Sequence, residues 1–159
     1  MQLKNFSSSK QLINSWNNTI SKQAIIIYPK NILELKKLLI ILKKKKAKYL
    51  IRTGSCSYDS KSINPDLKTY VISLKKINKI IKINYKKRTL QVEAGALISD
   101  VVLTLKEKKF TLFSVPGGEN ISIGGAISAN TIGKDSSPQI SSFGDAVVSL
   151  KIITSMGRC

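Results

Sequence analysis

A chain of 159 residues has the length of one ordinary domain and is long enough to bury a hydrophobic core. Charged residues make up 23%, and no apolar run reaches the roughly 18 residues that a membrane span needs. Histidine is absent, and two distant cysteines, Cys56 and Cys159, match neither a disulfide framework nor a metal site. The amino terminus lacks the apolar core of a signal peptide, so the composition predicts a soluble, cytoplasmic protein without a metal centre.

The formal charge of +18 at pH 7 favours anionic ligands, and nucleic acid is the natural candidate. Yet the lysines are spread along the chain, and the aromatic residues, at 6%, are not interleaved with them. Lys, Ile and Asn are encoded by A/T-rich codons, so base composition accounts for part of the charge. A basic nucleic-acid-binding module stays open as an alternative function, which steeply salt-dependent binding to DNA would identify.

The first part of the chain alternates predicted strands with one helix. Residues 1–23 are polar and weakly periodic, which predicts an amino-terminal extension before a domain at 24–159, with Trp16 as a packing residue. The short β-branched run Ala24–Tyr28 predicts a buried strand, and Tyr49–Arg52 predicts a second strand. With a helix between them, these strands form a β-α-β unit.

The helix between these two strands is predicted from the capping residues at its start and from the spacing of its apolar residues. Asn31 is a suitable N-cap, and Glu34 stands three residues on, in the capping-box arrangement. The run Lys43–Lys46 falls in the last turn, where cations interact favourably with the helix dipole. The apolar residues at helical spacing predict the buried face: Ile32, Leu35, Leu38, Leu39 and Leu42.

The second strand runs directly into a small polar loop, Thr53–Ser60. Ligands of α/β proteins usually bind beyond the carboxyl ends of strands, and Gly54 with three serines would let N–H and hydroxyl groups face a diphosphate. Neither a GxxxxGK(S/T) nor a GxGxxG motif is present, which excludes a P-loop and a Rossmann fingerprint. From these residues alone, a plain solvated turn is an equally open interpretation.

Alternating and helical patterns continue along the chain. The predicted elements are strands Tyr70–Leu74, Ile80–Asn84 and Thr89–Glu93, helix Leu97–Lys108, and strands Phe110–Phe113 and Val147–Thr154. The two strands around residues 85–88 predict a hairpin. Ser155–Arg158 predicts another hairpin turn, and because no partner strand follows it, we expect the chain to be the amino-terminal part of a longer protein or a truncated gene product.

The glycine-rich stretch Ser114–Asn130 is the clearest functional signal. Glycine permits close approach of another group where a Cβ would collide. The pair Gly124-Gly125 precedes small residues that can form a short helix, and a glycine pair that opens a helix leaves N–H groups free for an electron-rich ligand. Taken alone, the pair is also compatible with an ordinary surface turn.

Three segments in matching order and spacing resemble one family. They are IRTGSCSYDS at Ile51–Ser60, VEAGALISDVV at Val92–Val102, and VPGGENISIGGAISANTIGKD with SFGD between Val115 and Asp145. Together they resemble the FAD-binding domain of the vanillyl-alcohol oxidase / p-cresol methylhydroxylase (PCMH) type, especially decaprenylphosphoryl-ribose oxidase and the aldonolactone oxidases. The resemblance covers nearly the whole chain from Ala24. It implies an α+β (α/β) fold of two small α/β subdomains, with FAD between them.

The resemblance also implies where FAD binds, without a covalent link. One set would hold the diphosphate: Thr53, Gly54, Ser55, Cys56, Ser57, Tyr58 and Asp59. A second set would line the flavin and diphosphate: Gly117, Ser122, Ile123, Gly124, Gly125, Ala129, Asn130, Ile132 and Gly133. Lys134 matches a lysine that faces the substrate pocket in the family.

Two departures from the family pattern bear on the chemistry. Ile132 stands where the family often has histidine, and the absence of histidine excludes a histidyl flavin. Cys56 lies in the first loop, but the family's cysteinyl links generally use another motif, so we interpret Cys56 as a small loop residue.

The function implied by the resemblance is the FAD-binding portion of an oxidoreductase that oxidises a sugar alcohol or lactone by hydride transfer to flavin N5. Its catalytic residues are expected downstream of Cys159, and a lipid-linked sugar substrate would bring peripheral membrane association. The FAD domain of an enolpyruvyl-sugar reductase is an alternative that only the downstream sequence separates. Flavin absorbance in the purified protein would distinguish both from a nucleic-acid-binding module.

Overall fold

A computed structural model describes residues 3–57, 69–118, 120–135, 138–139 and 141–158. The chain divides into two compact units, the first of Met1–Ile77 with Lys151–Cys159 and the second of Asn78–Leu150. Each unit has its own hydrophobic core.

The first unit contains a mixed four-stranded sheet in the order β1-β2-β4-β3. The strands are β1 (Ser8–Asn14), β2 (Ser21–Ile27), β3 (Tyr49–Arg52) and β4 (Tyr70–Ser73). β1 is antiparallel to β2, whereas β4 lies between β2 and β3 and is parallel to both. The three predicted strands of this unit are therefore confirmed. β1 lies in the segment predicted as an extension, and its sequence gave no strand pattern because Ile13 is its one buried side chain.

Helix α1 (Ile32–Lys44) packs against one face of this sheet. As predicted, Asn31 Oδ1 accepts a hydrogen bond from the Glu34 N–H, at 2.9 Å. The Glu34 carboxylate accepts from the Lys30 N–H rather than from the Asn31 N–H, so the second half of the capping box is displaced by one residue. The four leucines of the predicted face are buried. Ile32, which was predicted to be buried, is exposed, and Ile41, which was not, is buried in the core.

The second unit contains the predicted hairpin, β5 (Ile80–Asn84) and β6 (Thr89–Val92), and two helices. The helices are α2 (Ile98–Lys106) and α3 (Ile123–Ser128), followed by a 3-10 turn at Phe143–Ala146. α2 confirms the predicted helix with shorter ends. Its buried residues Val101 and Leu105 pack with Ala126 of α3 and Phe143 of the turn.

Two predicted strands are absent from the part of the chain that the structure describes, namely Phe110–Phe113 and Val147–Thr154. No neighbouring strand among the described residues pairs with either segment, and an alternating apolar pattern forms a strand only where a partner is present. In the second segment three of the apolar side chains are 54–83% exposed, Val148, Leu150 and Ile152, whereas Val147 and Ile153 are half-buried. The turn after it is confirmed, since Gly157 has φ +72 and its N–H donates to Thr154 O at 2.8 Å.

Candidate functional site

The loop after β3 presents a run of backbone donors. Within the described ranges, no acceptor is found for the N–H groups of four successive residues: Gly54, Ser55, Cys56 and Ser57. Ser55 has φ +65, in the left-handed region from which successive N–H groups can converge on an anion. Within the described residues, these four donors have no partner that would compete with a ligand. Tyr58 and Asp59, predicted to belong to it, lie outside the described residues.

Arg52, the last residue of β3, holds this loop in place. Its Nε donates to Ser55 Oγ at 2.8 Å, and its Nη2 donates to the carbonyl of Asn14 at the end of β1. A second hydrogen bond also fixes the loop: the Trp16 N–H donates to Ser57 O, at 3.1 Å. The Arg52 Nη1 is buried without a hydrogen-bond partner among the described residues, and burial lowers the pKa of the guanidinium from its usual value.

Cys56 is a half-buried thiol whose Sγ donates to Gly54 O at 3.4 Å. Burial raises the pKa of Cys56 above its usual value, so the thiol is protonated at neutral pH. The protonated form is a poor nucleophile. These features fit a small loop residue better than a site of covalent attachment.

The glycine pair lies inside the first turn of α3 rather than before the helix. The helix begins at Ile123, and the Ser122 side chain caps it by accepting a hydrogen bond from the Gly125 N–H at 3.2 Å. The Gly124 N–H donates to Ala94 O at 2.8 Å. The prediction of free N–H groups at this glycine pair is therefore wrong, because both donors are used within the chain.

The two glycines lack a side chain for different physical reasons. A Cβ added at Gly124 would lie 2.9 Å from Ala94 Cβ and 3.0 Å from Ala94 O, so this glycine lets the helix pack on the turn after β6. A Cβ added at Gly125 would meet only the Ser122 hydroxyl, at 3.0 Å, and Gly125 is exposed. Gly125 is thus the member of the pair that offers open backbone to a ligand.

Lys134 lies over the first glycine of the VPGG sequence. A Cβ added at Gly117 would lie 3.3 Å from Lys134 Cε and 3.8 Å from Nζ. Nearby, the buried Gly133 donates its N–H to Ser114 Oγ at 3.0 Å, and a Cβ at Gly133 would lie 2.5 Å from that oxygen. The structure therefore brings Gly117 and Lys134 together, while Gly133 serves packing.

The segment after α3 is exposed. Asn130 has φ +45, and its Oδ1 accepts a hydrogen bond from the Gly144 N–H at 3.2 Å, which fastens the 3-10 turn to the end of α3. Ala129 is also exposed, and Ile132 is 71% exposed. Ile132 therefore presents an apolar surface next to Gly133 and Lys134.

Sequence reasoning missed part of the surroundings of the first loop. A cavity of about 420 Å³ is lined by loop residues Thr53, Gly54 and Ser55 together with Arg52 and Trp16. Trp16, predicted as a packing residue, is 45% exposed. The position of Arg52, between a buried strand and a glycine loop, was a signal that could have identified it. Trp16 follows a polar strand, where no pattern distinguished it.

No described helix is long and apolar enough to cross a membrane. The described residues also contain no cluster of His, Cys, Asp or Glu that could hold a metal ion.

A family model described as FAD binding domain matches residues 23–159, and the chain belongs to this family. Its cofactor is FAD. The residues present fit this cofactor, because the N–H donors of the first loop have no acceptor in the described part of the chain and Gly125 offers exposed backbone for a flat ring. No curated protein matches the sequence.

Solved structures share the fold. Xylooligosaccharide oxidase from Myceliophthora thermophila C1, in complex with xylobiose, is 17% identical, with a TM-score of 0.81 over 98% of this chain and 34% of that one. Cholesterol oxidase from B. sterolicum is 18% identical, with a TM-score of 0.71 over 80% and 25%. Alkyldihydroxyacetonephosphate synthase is 16% identical, with a TM-score of 0.66 over 76% and 25%.

At these identities the likeness shows the fold alone, and it confirms the α+β FAD-binding fold predicted from the sequence. The chain spans a quarter to a third of the length of these structures.

Proposed function

We propose that the chain is the FAD-binding portion of a flavin-dependent oxidoreductase that acts on a sugar alcohol or lactone. One observation carries the proposal: in this member of the FAD-binding family, the N–H groups of four successive residues in the loop after β3 have no acceptor among the described residues. The sugar class is favoured because a structure of the same fold, xylooligosaccharide oxidase, holds the sugar xylobiose.

In the first unit, the loop Thr53–Asp59 would bind the diphosphate of FAD. A diphosphate needs several donors at close range, and charge-assisted hydrogen bonds are stronger than neutral ones. The Ser55 Oγ already accepts from Arg52, so its own hydrogen is free to donate to a phosphate oxygen. The positive charge of Arg52 lies directly behind the same loop.

In the second unit, the predicted flavin-lining residues divide into two roles. The exposed residues would contact the ring directly: Gly117, Gly125, Ala129, Asn130 and Ile132. The others are buried or half-buried and would shape the surface beneath it: Ser122, Ile123, Gly124 and Gly133. When bound, FAD supplies a hydride acceptor at N5. Lys134 would face the substrate, where its ammonium group stabilises negative charge that develops on a substrate oxygen.

Flavin titration of the purified chain tests the proposal. We expect saturable, one-site binding of FAD with a change in the flavin absorbance bands, and no binding would overturn the proposed function. The substrate class is tested in the protein that carries this chain. Without oxygen, a sugar alcohol or an aldonolactone should diminish the absorbance of bound flavin. If no sugar did so while FAD stayed bound, the substrate class alone would be rejected.

A further inference from the structure

The outer face of α1 carries an apolar strip between two rows of lysines. Residues seven apart in a helix lie within about 20° of one another around the axis. Three such pairs occupy the face opposite the buried residues: Leu33 with Ile40, Lys36 with Lys43, and Lys37 with Lys44. At about 100° per residue, the Leu33–Ile40 pair lies in the middle of this face, with one pair of lysines on either side.

The middle of the outer face is exposed and apolar. Leu33 is 61% exposed and Ile40 is 40% exposed. The turn around Gly157 lies against the same face, since a Cβ added at Gly157 would lie 3.0 Å from Lys36 O and 3.1 Å from Ile40 Cδ1. The residue before it, Met156, is 47% exposed and adds an apolar side chain to this part of the surface. A surface helix ordinarily places polar and charged residues opposite its buried face, so this apolar strip points to a partner.

The charge around the strip is strongly positive. The segment Lys45–Lys48, directly after the helix, adds three exposed lysines to the four of the outer face. The helix dipole accounts for cations in the last turn, but not for Lys36 and Lys37 in the middle of α1. Within α1, whose residues are all described, Glu34 is the only acid, and its carboxylate accepts from the Lys30 N–H. The outer face therefore has no carboxylate of its own helix to offset its lysines.

An apolar strip between rows of cations matches the surface of an anionic membrane. Apolar side chains enter the boundary between headgroups and acyl chains, while lysine ammonium groups face the negative headgroups. A second copy of the chain matches less well, because two such faces would bring like charges together. Nucleic acid matches the lysines but leaves the apolar strip without a partner.

We propose that the outer face of α1 docks the protein on membranes that contain anionic phospholipids. Leu33 and Ile40 enter the interface, and the two rows of lysines face the headgroups. None of these residues belongs to the sets assigned to FAD, so the inference goes beyond the proposed function and does not depend on it. The contact is peripheral and reversible, because it buries few apolar side chains.

Vesicle flotation tests the lysine rows. We expect the chain to float with phosphatidylcholine vesicles that contain about 30% phosphatidylserine, but not with pure phosphatidylcholine, and to be released as salt rises to about 0.5 M. The double change Lys37→Gln and Lys44→Gln should weaken binding by about 10- to 30-fold, from about fivefold for each lysine. Lys86→Gln with Lys87→Gln removes the same charge from the exposed β5–β6 turn and is the matched control.

Leu33→Ser tests the apolar strip. Leu103 on α2 is exposed to nearly the same degree, 63%, so Leu103→Ser is the matched control. We expect only Leu33→Ser to weaken vesicle binding, by about fivefold. Because Trp16 is the only tryptophan of the chain, Leu33→Trp in a Trp16→Phe background gives a single fluorescent side chain. Its emission should shift to the blue with anionic vesicles, which reports entry into the interface.

No flotation with anionic vesicles would overturn the inference, and so would equal effects of the test and control variants. Duplex DNA binding that depends on Lys37 and Lys44, with vesicle binding that Leu33→Ser leaves unchanged, would instead assign the face to nucleic acid. A dimer in analytical ultracentrifugation that Leu33→Ser dissociates would assign it to a second copy. FAD affinity should be unchanged in every variant, so failure of the docking surface leaves the proposed function intact.

Discussion

The loop after β3 and the first turn of α3 are both rich in small residues, yet they use their backbone donors in opposite ways. In the loop, the N–H groups of Gly54–Ser57 have no acceptor among the described residues. In α3, the Gly124 N–H donates to Ala94 O and the Gly125 N–H donates to Ser122 Oγ. The difference comes from the neighbours: a capping serine and an adjoining turn supply acceptors to α3, whereas no described residue supplies one to the loop.

Under the proposed function, the two features would contribute to FAD binding in different ways. The loop would supply hydrogen bonds and charge, whereas the first turn of α3 would supply the exposed backbone of Gly125. Substitutions in the loop should therefore act through electrostatics, and substitutions in α3 should act through size.

Gly125→Leu should produce the largest loss of affinity. The added side chain meets only the Ser122 hydroxyl within the chain, so it extends into the space assigned to the flavin. We expect the Kd for FAD to rise by about 10- to 100-fold, from the cost of overpacking a tight contact, with little change in Tm. Ser128→Ala is the control, because the exposed Ser128 hydroxyl donates to the Gly124 and Gly125 carbonyls within the helix, at 2.8 and 3.2 Å. Equal flavin content in Gly125→Leu and wild type would reject α3 as a ligand surface.

Gly54→Val should weaken FAD binding by about tenfold, the effect of losing one hydrogen bond to a charged group. A branched side chain at Gly54 would obstruct access to the loop N–H groups, whereas α1 and the sheet should be unaffected. Calorimetry gives the affinity and circular dichroism gives the helical content. The affinity of the wild type should also fall with salt. Salt-independent binding would argue against a diphosphate at this loop.

Gly124→Ala should damage the fold rather than the ligand surface. The new Cβ would lie 2.9 Å from Ala94 Cβ, and such overpacking costs roughly 1–3 kcal/mol of unfolding free energy. Urea denaturation measures this loss. Ala94→Gly in the same chain should restore part of the stability, since it removes one of the two close contacts. A Gly124→Ala variant as stable as wild type would show that the turn after β6 adjusts freely.

The smallest effect should come from the Asp145→Asn substitution, which removes the carboxylate that caps the 3-10 turn and should lower the Tm slightly. The carboxylate accepts from the Ser142 N–H at 2.8 Å and from the N–H and hydroxyl of Ser141, and these bonds lower the pKa of Asp145. A lowered folded-state pKa stabilises the fold above the unfolded pKa, and this stabilisation is lost as the pH falls through the folded value.

The Tm difference between wild type and Asp145→Asn should therefore shrink as the pH falls below about 4. Thermal unfolding at a series of pH values measures this difference. A difference that did not change with pH would mean that the carboxylate charge contributes nothing to the cap.

The sequence was sufficient to predict those elements that depend on residues close together in the chain or on a strong apolar pattern. β3, the β5–β6 hairpin and the Asn31 cap all depend on residues near one another, and each is confirmed. Val147–Thr154 has the same alternating character, but a strand also requires a neighbour, which its own residues do not reveal. For the same reason, the prediction of free N–H groups at the glycine pair was wrong. Whether Gly124 opens a binding site or fits against Ala94 depends on a contact across 30 residues of sequence.

The position of β4 between β2 and β3 has a consequence for synthesis of the chain. β1 and β2 are neighbours in sequence and can pair as soon as both have been made, but β3 pairs with β4, and one edge of β2 stays open until residues 70–73 arrive. Parallel partners far apart in sequence close late, and open apolar edges promote aggregation. Defects in β4 should therefore appear first as nascent protein lost to aggregation, before any finished molecule meets its cofactor.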